Sequence, residues 1–339
     1  MRMELRHRNL PTRIATVGLI LFIAVLSLTP AARAAPDSRI FEASKVALVN
    51  FVGTLDVTVG DLPNIALDIT GPADQIDDVG VRLDDDVLVI ARKGMVNHDD
   101  QPFDAAVYPT VRLRVPAATA LTIQGMDGVA RIGDIAAPLS VHAAALDLTA
   151  GNVTTAMIER SGSGRIELGD VSGPVVARLG GSGDFVVGTA AEADIEKRGS
   201  GDIDISHVEG AFVANVRGSG DVSAANVGTA SIEKHGSGNV RFGRVAGGLS
   251  YISFGIGDAD VAAVHGPVVV ETTSSGEVHI HEGRADPLRV VMREYGDFTM
   301  DGEAVNPDLT AEGASVVRLS SYAGELVARG TGFFDVKRR

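Results

Sequence analysis

The chain of 339 residues has no cysteine and no tryptophan, and aromatic residues make up only 4% of it. The absence of cysteine excludes disulfide scaffolds, thiol catalysis, cysteine-ligated zinc or iron–sulfur centres and lipid anchoring through an N-terminal cysteine. The formal net charge of −14 argues against nucleic acid or an anionic membrane as partner, because both require a positive field. Apolar residues make up 45%, which is typical of a folded protein.

Residues 1–34 have the composition of a secretory signal. Four arginines precede an apolar run that extends from Ile14 to Leu28. Ala32-Arg33-Ala34 then offers small residues at the two positions that a signal peptidase reads. We predict cleavage after Ala34 and an exported protein, located in the periplasm, at the cell surface or in the medium. No later segment reaches the length of a transmembrane helix, so no membrane span is expected after cleavage.

The most regular feature of the sequence is a Gly-Ser-Gly segment that recurs along the chain at nearly even spacing. It stands at residues 162–164, 181–183, 199–201, 218–220 and 236–238, and weaker copies end at Gly257, Gly276 and Gly296. Apolar residues usually follow two, four and seven positions later, as at Ile203, Ile205 and Val208. Alternation of this kind predicts short strands, and the glycine segments predict tight turns between them.

A single repeat of this length cannot bury its own apolar face, whereas stacked repeats about 4.8 Å apart can. We therefore predict an all-β fold, a single-stranded parallel β-helix (β-solenoid) of about ten rungs of about 18–19 residues each. Each rung is expected to contain a strand, a glycine turn, a second strand and a loop. We favour right-handed winding, because the strict hexapeptide repeat of left-handed triangular helices is missing.

The regular repeats divide the chain into four segments. Residues 1–34 are the signal peptide, 35–120 an N-terminal β-rich cap or first rungs, 121–302 the solenoid, and 303–339 a C-terminal rung or cap. Residues 81–90 resemble a hairpin that turns at Asp84-Asp85-Asp86, and residues 303–314 read as a polar insertion containing proline. Ile158-Glu159, Ile195-Glu196 and Ile232-Glu233 recur at equal spacing on every second rung, which indicates that the duplicated unit was a pair of rungs.

The tandem Gly-Ser-Gly-Asp segments at 181–184, 199–202 and 218–221 follow a secretory signal and a strand-rich segment. In this arrangement the sequence resembles the bacterial head GIN domain family, described as the head of an auto-transporter adhesin. The resemblance extends over about residues 40 to 300. It implies an exported β-helix and adhesion at the cell surface, and it carries over no catalytic residue.

An acidic ladder follows the turns, one residue after each turn. Its members are Asp184, Asp202, Asp221, Asn239, Asp258, Glu277 and Asp297. Stacked carboxylates repel one another unless they are hydrated, paired or bridged by a cation, so binding of Ca²⁺ is one hypothesis. The other is turn closure by acceptance of backbone N–H groups, which Asn239 favours because it retains that chemistry without a charge. No other cofactor is expected.

His279 and His281 alternate with apolar residues on one face of a predicted strand. Imidazoles at alternate positions of a strand can share a metal ion, and Glu277 or His265 would complete the site. The alternative is an ordinary polar face exposed to solvent.

A basic set precedes the turns at Arg198, Arg217 and His235, close in sequence to Glu196 and Glu233. Charge compensation along an exposed ladder is the first interpretation, and a basic groove for acidic glycans is the second.

The sequence contains no nucleophile elbow, and the glycine turns lead into strands where a phosphate site requires a helix. Sugar sites stack rings on aromatic side chains, which are scarce in this chain. We predict a non-enzymatic, exported binding or adhesion protein whose partner is an unknown envelope or surface component. The alternatives are a carbohydrate-active β-helix enzyme, either a polysaccharide lyase or a hydrolase, and a purely structural envelope protein.

Overall fold

The computed structural model describes residues 39–93, 103–273 and 275–339, so the predicted signal peptide lies outside the described residues. These residues form 22 strands and one short helix. The N-terminal part consists of β1 (Arg39–Phe41), β2 (Lys45–Val59), β3 (Ile65–Thr70), α1 (Ala73–Asp77), β4 (Val79–Asp84), β5 (Val87–Arg92) and β6 (Thr110–Val115). The stacked part begins with β7 (Ala120–Ile132), β8 (Leu139–Ala150), β9 (Ala156–Arg160), β10 (Ile166–Leu168) and β11 (Val171–Gly181).

The stack continues through β12 (Phe185–Gly199), β13 (Ile203–Gly218), β14 (Val222–Gly236), β15 (Val240–Ser253), β16 (Ala259–Thr272) and β17 (Glu277–Met292). It ends with β18 (Asp297–Val305), β19 (Asp308–Ala311), β20 (Val316–Ala323), β21 (Val327–Gly330) and β22 (Phe333–Arg338). Across the three described ranges, no helix is long and apolar enough to cross a membrane.

Consecutive rungs pair in parallel at the register that the turn spacing predicts. Phe185 lies opposite Ile203, which lies opposite Val222 on its other side. Ile203 and Ile205 are at most 1% exposed, so the apolar positions after each turn line the interior. Burial of one such side chain contributes about 1.5–3 kcal/mol. The predicted β-solenoid is confirmed, with about eleven turns of stacked parallel strands.

The expectation that each rung contains a loop is wrong for the central rungs. From β12 to β17 a single strand runs from one glycine turn to the next. The pairing of β12 with β13 shifts register between Ala190 and Ala193, where the rung bends. The pairing of β13 with β14 shifts at the matching positions, between Val208 and Ala211, so these corners of the rungs coincide and pairing resumes directly beyond them.

The glycine turns stack so closely that a side chain has no room. At Gly201 the φ angle is +106°, and a Cβ atom would overlap the carbonyl oxygen of Gly183 on the preceding rung. Both the backbone conformation and the contact therefore require glycine, which explains why this residue recurs at every central turn.

The N-terminal strands cover one side of β2. This strand pairs with β7 on one side and with β5 and β6 on the other. The predicted hairpin is confirmed, because β4 and β5 are antiparallel with Asp84 opposite Val87. Strand β3 adds to β6, and β1 adds to β3, both in the antiparallel direction.

The C-terminal strands continue the stack. Asp308 of β19 lies opposite Arg289 of β17, and β20 and β22 extend the column of β18. Leu309 and Ala311 are fully buried in this continuation. The interpretation of residues 303–314 as an insertion is therefore wrong: they complete β18 and form β19, and their apolar positions enter the common core.

Candidate functional site

The acidic ladder holds successive turns together through its side chains. Oδ1 of Asp184 accepts the backbone N–H of Asp202 at 3.0 Å, and Oδ1 of Asp202 accepts that of Asp221 at 2.8 Å. The same bond continues from Asp221 to the N–H of Asn239 at 2.7 Å and from Asn239 to that of Asp258 at 3.0 Å. Asn239 forms the same contact as its charged neighbours, so turn closure requires an oxygen acceptor and no charge.

The same bond continues into the turns where the Gly-Ser-Gly pattern weakens. Oδ1 of Asp258 accepts the backbone N–H of Glu277 at 2.9 Å. The second oxygen of some members faces an arginine: Oδ2 of Asp221 lies 3.0 Å from Arg241, and Oδ2 of Asp297 lies 3.3 Å from Arg318. A Ca²⁺ ion on the ladder would therefore compete with main-chain hydrogen bonds and with arginines for the same carboxylates.

A buried cation column lies on the inner side of the same turns. Arg160, Lys197 and Lys234 are at most 2% exposed. The ammonium group of Lys197 donates to the carbonyl oxygens of Gly201 and Ser219, the latter at 2.9 Å, and that of Lys234 donates to the carbonyl oxygen of Ile256 at 2.7 Å. The guanidinium group of Arg160 donates to the carbonyl oxygens of Gly164 and Gly183. These cations satisfy carbonyl groups that point into the core.

The acidic ladder and the buried cations interact electrostatically across the turns. Burial lowers the pKa of Lys197, and the carboxylates of Asp202 and Asp184 oppose this shift by favouring the charged form. Burial likewise lowers the pKa of Lys234, with Asp221 and Asp258 opposing it. The ladder therefore supplies countercharges for cations that face away from solvent.

The positions of the buried cations are marked in the sequence, although the spacing of the glycine turns does not indicate them. Each cation directly follows one of the Ile-Glu pairs that recur on every second rung. Since side chains of a strand alternate between faces, an inward isoleucine and an outward glutamate place the next residue inside. Fully buried cations are rare, so lysine and arginine are ordinarily assigned to the surface. Only strict use of the alternation places these three cations inside the solenoid.

The basic set on the outer face forms the expected ion pairs at two of its positions. Nε of Arg198 lies 3.0 Å from Oε1 of Glu196, and Nε2 of His235 lies 2.7 Å from Oε1 of Glu233. The hydrogen bond from Arg198 lowers the pKa of Glu196. These contacts agree with charge compensation along an exposed ladder.

Exposed apolar side chains interrupt the turn pattern near the C-terminal end of the basic set. Phe254 follows His235 in the same column, and their rings stack with centroids 4.7 Å apart. Phe254, Ile256 and Tyr295 are 51%, 65% and 72% exposed, and we call these three residues the turn-edge patch. Earlier turns carry serine where Ile256 and Tyr295 stand, so the patch is a local departure from the repeat.

His279 and His281 lie side by side on β17, with ring centroids 3.9 Å apart. Nε2 of His279 lies 2.8 Å from Oδ2 of Asp301, and Nε2 of His281 lies 3.1 Å from Oδ2 of Asp260. The hydrogen bond from His279 lowers the pKa of Asp301. Within the described ranges, the carboxylate that joins the two imidazoles in a group with metal-binding dimensions is Asp301, and neither Glu277 nor His265 belongs to it.

Fold and surface together define an extended parallel β-solenoid whose turns are tied by carboxylates outside and cations inside. Residues 48–243 match the family described as "Putative auto-transporter adhesin, head GIN domain", and the chain belongs to this family. The resemblance inferred from the Gly-Ser-Gly-Asp segments is confirmed. A comparison with curated protein sequences gives no significant match.

Several solved structures are similar to this chain. A "putative adhesin" from Parabacteroides distasonis shares 15% identity, with 89% of this chain and 96% of that chain covered and a TM-score of 0.27. A "putative adhesin" from Bacteroides fragilis shares 12% identity, with 92% and 100% covered and a TM-score of 0.24. A "putative cell adhesion protein" from Clostridium sporogenes shares 13% identity, with 57% and 99% covered and a TM-score of 0.24.

Proposed function

We propose that this protein is an exported, non-enzymatic adhesion protein that binds a protein component of the cell envelope or of a neighbouring surface through the turn-edge patch. The observation that carries the proposal is the exposure of Phe254, Ile256 and Tyr295 at turn positions where the repeat otherwise places serine, threonine, arginine, histidine or glycine. Membership in a family described as adhesin heads supports a binding role.

The composition of the patch favours a protein partner. Aromatic residues and arginine are enriched at the centres of protein interfaces, where they supply most of the binding energy. Phe254 and Ile256 lie on one rung, and Tyr295 lies two rungs away, about 10 Å along the stack. The neighbouring Arg217 and His235 supply a polar margin on the same outer column.

The test is capture from isolated envelope fractions with the wild-type protein and with the combined variant Phe254→Arg, Ile256→Ser and Tyr295→Ser. These substitutions restore residue types that earlier turns carry at the same positions, so the solenoid should still fold. We expect the variant to bind the captured component at least about 30-fold more weakly, because a hot spot contributes about 2 kcal/mol or more.

The matched control is Val213→Ser, which removes another apolar side chain that is 44% exposed and lies outside the patch. It should bind as the wild type does. Equal binding by the combined variant would contradict the assignment of the patch. Failure of the wild type to capture any envelope or surface component would favour a purely structural role, and turnover of an acidic polysaccharide that a ladder substitution abolishes would favour an enzyme.

Export has a test of its own. The composition of residues 1–34 predicts that the mature protein begins at Ala35. Sequencing of the N-terminus of protein recovered from cell fractions should find this residue in a fraction outside the cytoplasm. An uncleaved chain confined to the cytoplasm would contradict the proposed location.

A further inference from the structure

We propose that His279, His281 and Asp301 bind a divalent transition metal ion of intermediate softness, such as Zn²⁺, in an open site on the outer face of the solenoid. Each of the three residues offers one ligand atom, and these atoms lie within 4.8 Å of one another. The two histidines lie on β17, and Asp301 follows Met300, which pairs with Ile280 between them. The register of two rungs thus brings the three side chains together.

The two adjacent imidazoles, tilted by 33° with ring centroids 3.9 Å apart, distinguish this group from the rest of the described polar surface. Other outward carboxylates pair with an arginine, as Asp221 with Arg241 and Asp297 with Arg318, or with a single histidine, as Glu233 with His235. Two imidazoles with a carboxylate form a set of two nitrogen ligands and one oxygen ligand, which suits Zn²⁺ and similar ions better than Ca²⁺ or Mg²⁺.

Two further residues orient the proposed ligands. Nε2 of His281 lies 3.1 Å from Oδ2 of Asp260, so His281 donates its Nε2–H to this carboxylate and retains Nδ1 as its ligand atom. Oγ of Ser320 donates to Oδ1 of Asp301 at 3.1 Å, which leaves Oδ2 to face His279. Ligating histidines usually donate their second N–H to a carboxylate, so the contact of His281 with Asp260 is of the kind that metal sites commonly contain.

Tetrahedral coordination requires these side chains to rotate, because their ligand atoms lie within 4.8 Å of one another but not at tetrahedral spacing. Oδ2 of Asp301 and Nε2 of His279 are 2.8 Å apart, whereas two ligands of a tetrahedral zinc ion are separated by about 3.3 Å. The side chains of His279, His281 and Asp301 are 27%, 42% and 48% exposed, so solvent-facing rotation can supply the difference. Three protein ligands leave a fourth position open for water or for a side chain of another molecule.

The experiment is a calorimetric titration of the folded protein with ZnCl₂. We expect saturable binding of one ion per chain and a rise in the thermal midpoint when the ion is present. His281→Gln should weaken binding at least about 100-fold, and Asp260→Asn should weaken it about 10- to 100-fold because it removes only the orienting carboxylate.

His142→Gln is the matched control. His142 also contacts a carboxylate of an adjacent rung, with Nδ1 3.0 Å from Glu159, but the alternate positions of its strand carry Ser140 and Ala144 instead of a second histidine. This variant should bind zinc as the wild type does. Absence of zinc binding in the wild type, or unchanged affinity in His281→Gln, would overturn the proposal.

A measurement on the unaltered protein applies if His281→Gln does not fold. Titration with Co²⁺ should then produce the visible absorption of a four-coordinate ion, saturate at one equivalent and disappear on addition of Zn²⁺. A spectrum identical to that of hexahydrated Co²⁺ throughout the titration would overturn the proposal.

Discussion

Replacement of Lys197 by methionine tests whether the buried cation column stabilises the solenoid. The lysine is 2% exposed, and its ammonium group donates to the carbonyl oxygens of Gly201 and Ser219 in two successive turns. Methionine fills nearly the same volume and removes every donor. Each buried carbonyl group left without a donor costs about 1–3 kcal/mol. The variant no longer has to bury an ammonium group, and the absence of that desolvation penalty offsets part of the loss from the two carbonyl groups.

We therefore expect Lys197→Met to lower the free energy of unfolding by about 2–4 kcal/mol. The measurement is equilibrium unfolding in urea at pH 7, followed by circular dichroism in the β-sheet region. Repeat proteins can lose the all-or-none transition, so the slope as well as the midpoint should be compared between proteins.

The control variant is Lys197→Arg. Arginine already occupies the equivalent inward position at Arg160, where its guanidinium group donates to two turn carbonyls. This variant should stay within about 1 kcal/mol of the wild type, because a charged donor is retained. Stability of Lys197→Met equal to that of the wild type would show that the buried ammonium group does not stabilise the solenoid, and so would equal losses in the two variants.

The remaining predictions concern the turns. Asp221→Asn should be within about 1 kcal/mol of the wild type because it retains the acceptor for the N–H of Asn239, whereas Asp221→Ala should lose about 1–2 kcal/mol in the same unfolding assay. That backbone hydrogen bond lowers the pKa of Asp221 below the ordinary value of 3.8, so its stabilisation is complete above about pH 4 and is lost as the pH falls through the lowered value. Asp221→Asn should accordingly lose less stability in acid than the wild type, and parallel acid-unfolding curves would contradict this. Gly201→Ala should cost about 2–4 kcal/mol because a Cβ would meet the carbonyl oxygen of Gly183, while Gly60→Ala, where the nearest atom is 3.6 Å away, should cost less than about 1 kcal/mol. A calcium chelator should leave the thermal midpoint unchanged, since the ladder is tied by main-chain hydrogen bonds; a clear drop in the midpoint would support the Ca²⁺ hypothesis instead.

Local pattern predicted the fold because the determinants of a solenoid repeat along the chain. The distance between glycine turns fixes which residues of neighbouring rungs pair, and the alternation after each turn fixes which of them point inward. Ile203 and Ile205 illustrate both, since each lies in the predicted register and in the core. The hairpin at Asp84-Asp85-Asp86 was predictable for the same reason, as a turn flanked by two adjacent strands.

Contacts between distant parts of the chain were not predictable from such patterns. Strand β7 pairs with β2 although Lys45 and its partner Ala120 are far apart in the sequence, and the strands between them fold against the other side of β2. The continuous corners of the central rungs were also not predictable, because bending without loss of pairing depends on the neighbouring rungs.

The features of the candidate site were likewise predictable where they depend on local pattern and unpredictable where they depend on contacts between rungs. The acidic ladder after the turns and the shared strand face of His279 and His281 follow from the sequence alone, because period and alternation are local properties. The groups that these side chains contact depend on how the rungs stack. Stacking gives the ladder residues from Asp184 to Asp258 a backbone N–H of the next turn, and it places the ammonium group of Lys197 against turn carbonyls from inside. Stacking also brings Asp301 to the two histidines, because Met300 of β18 pairs with Ile280 of β17. These residues are a full rung apart in the sequence and lie on different strands, so no pattern within one strand predicts their contact.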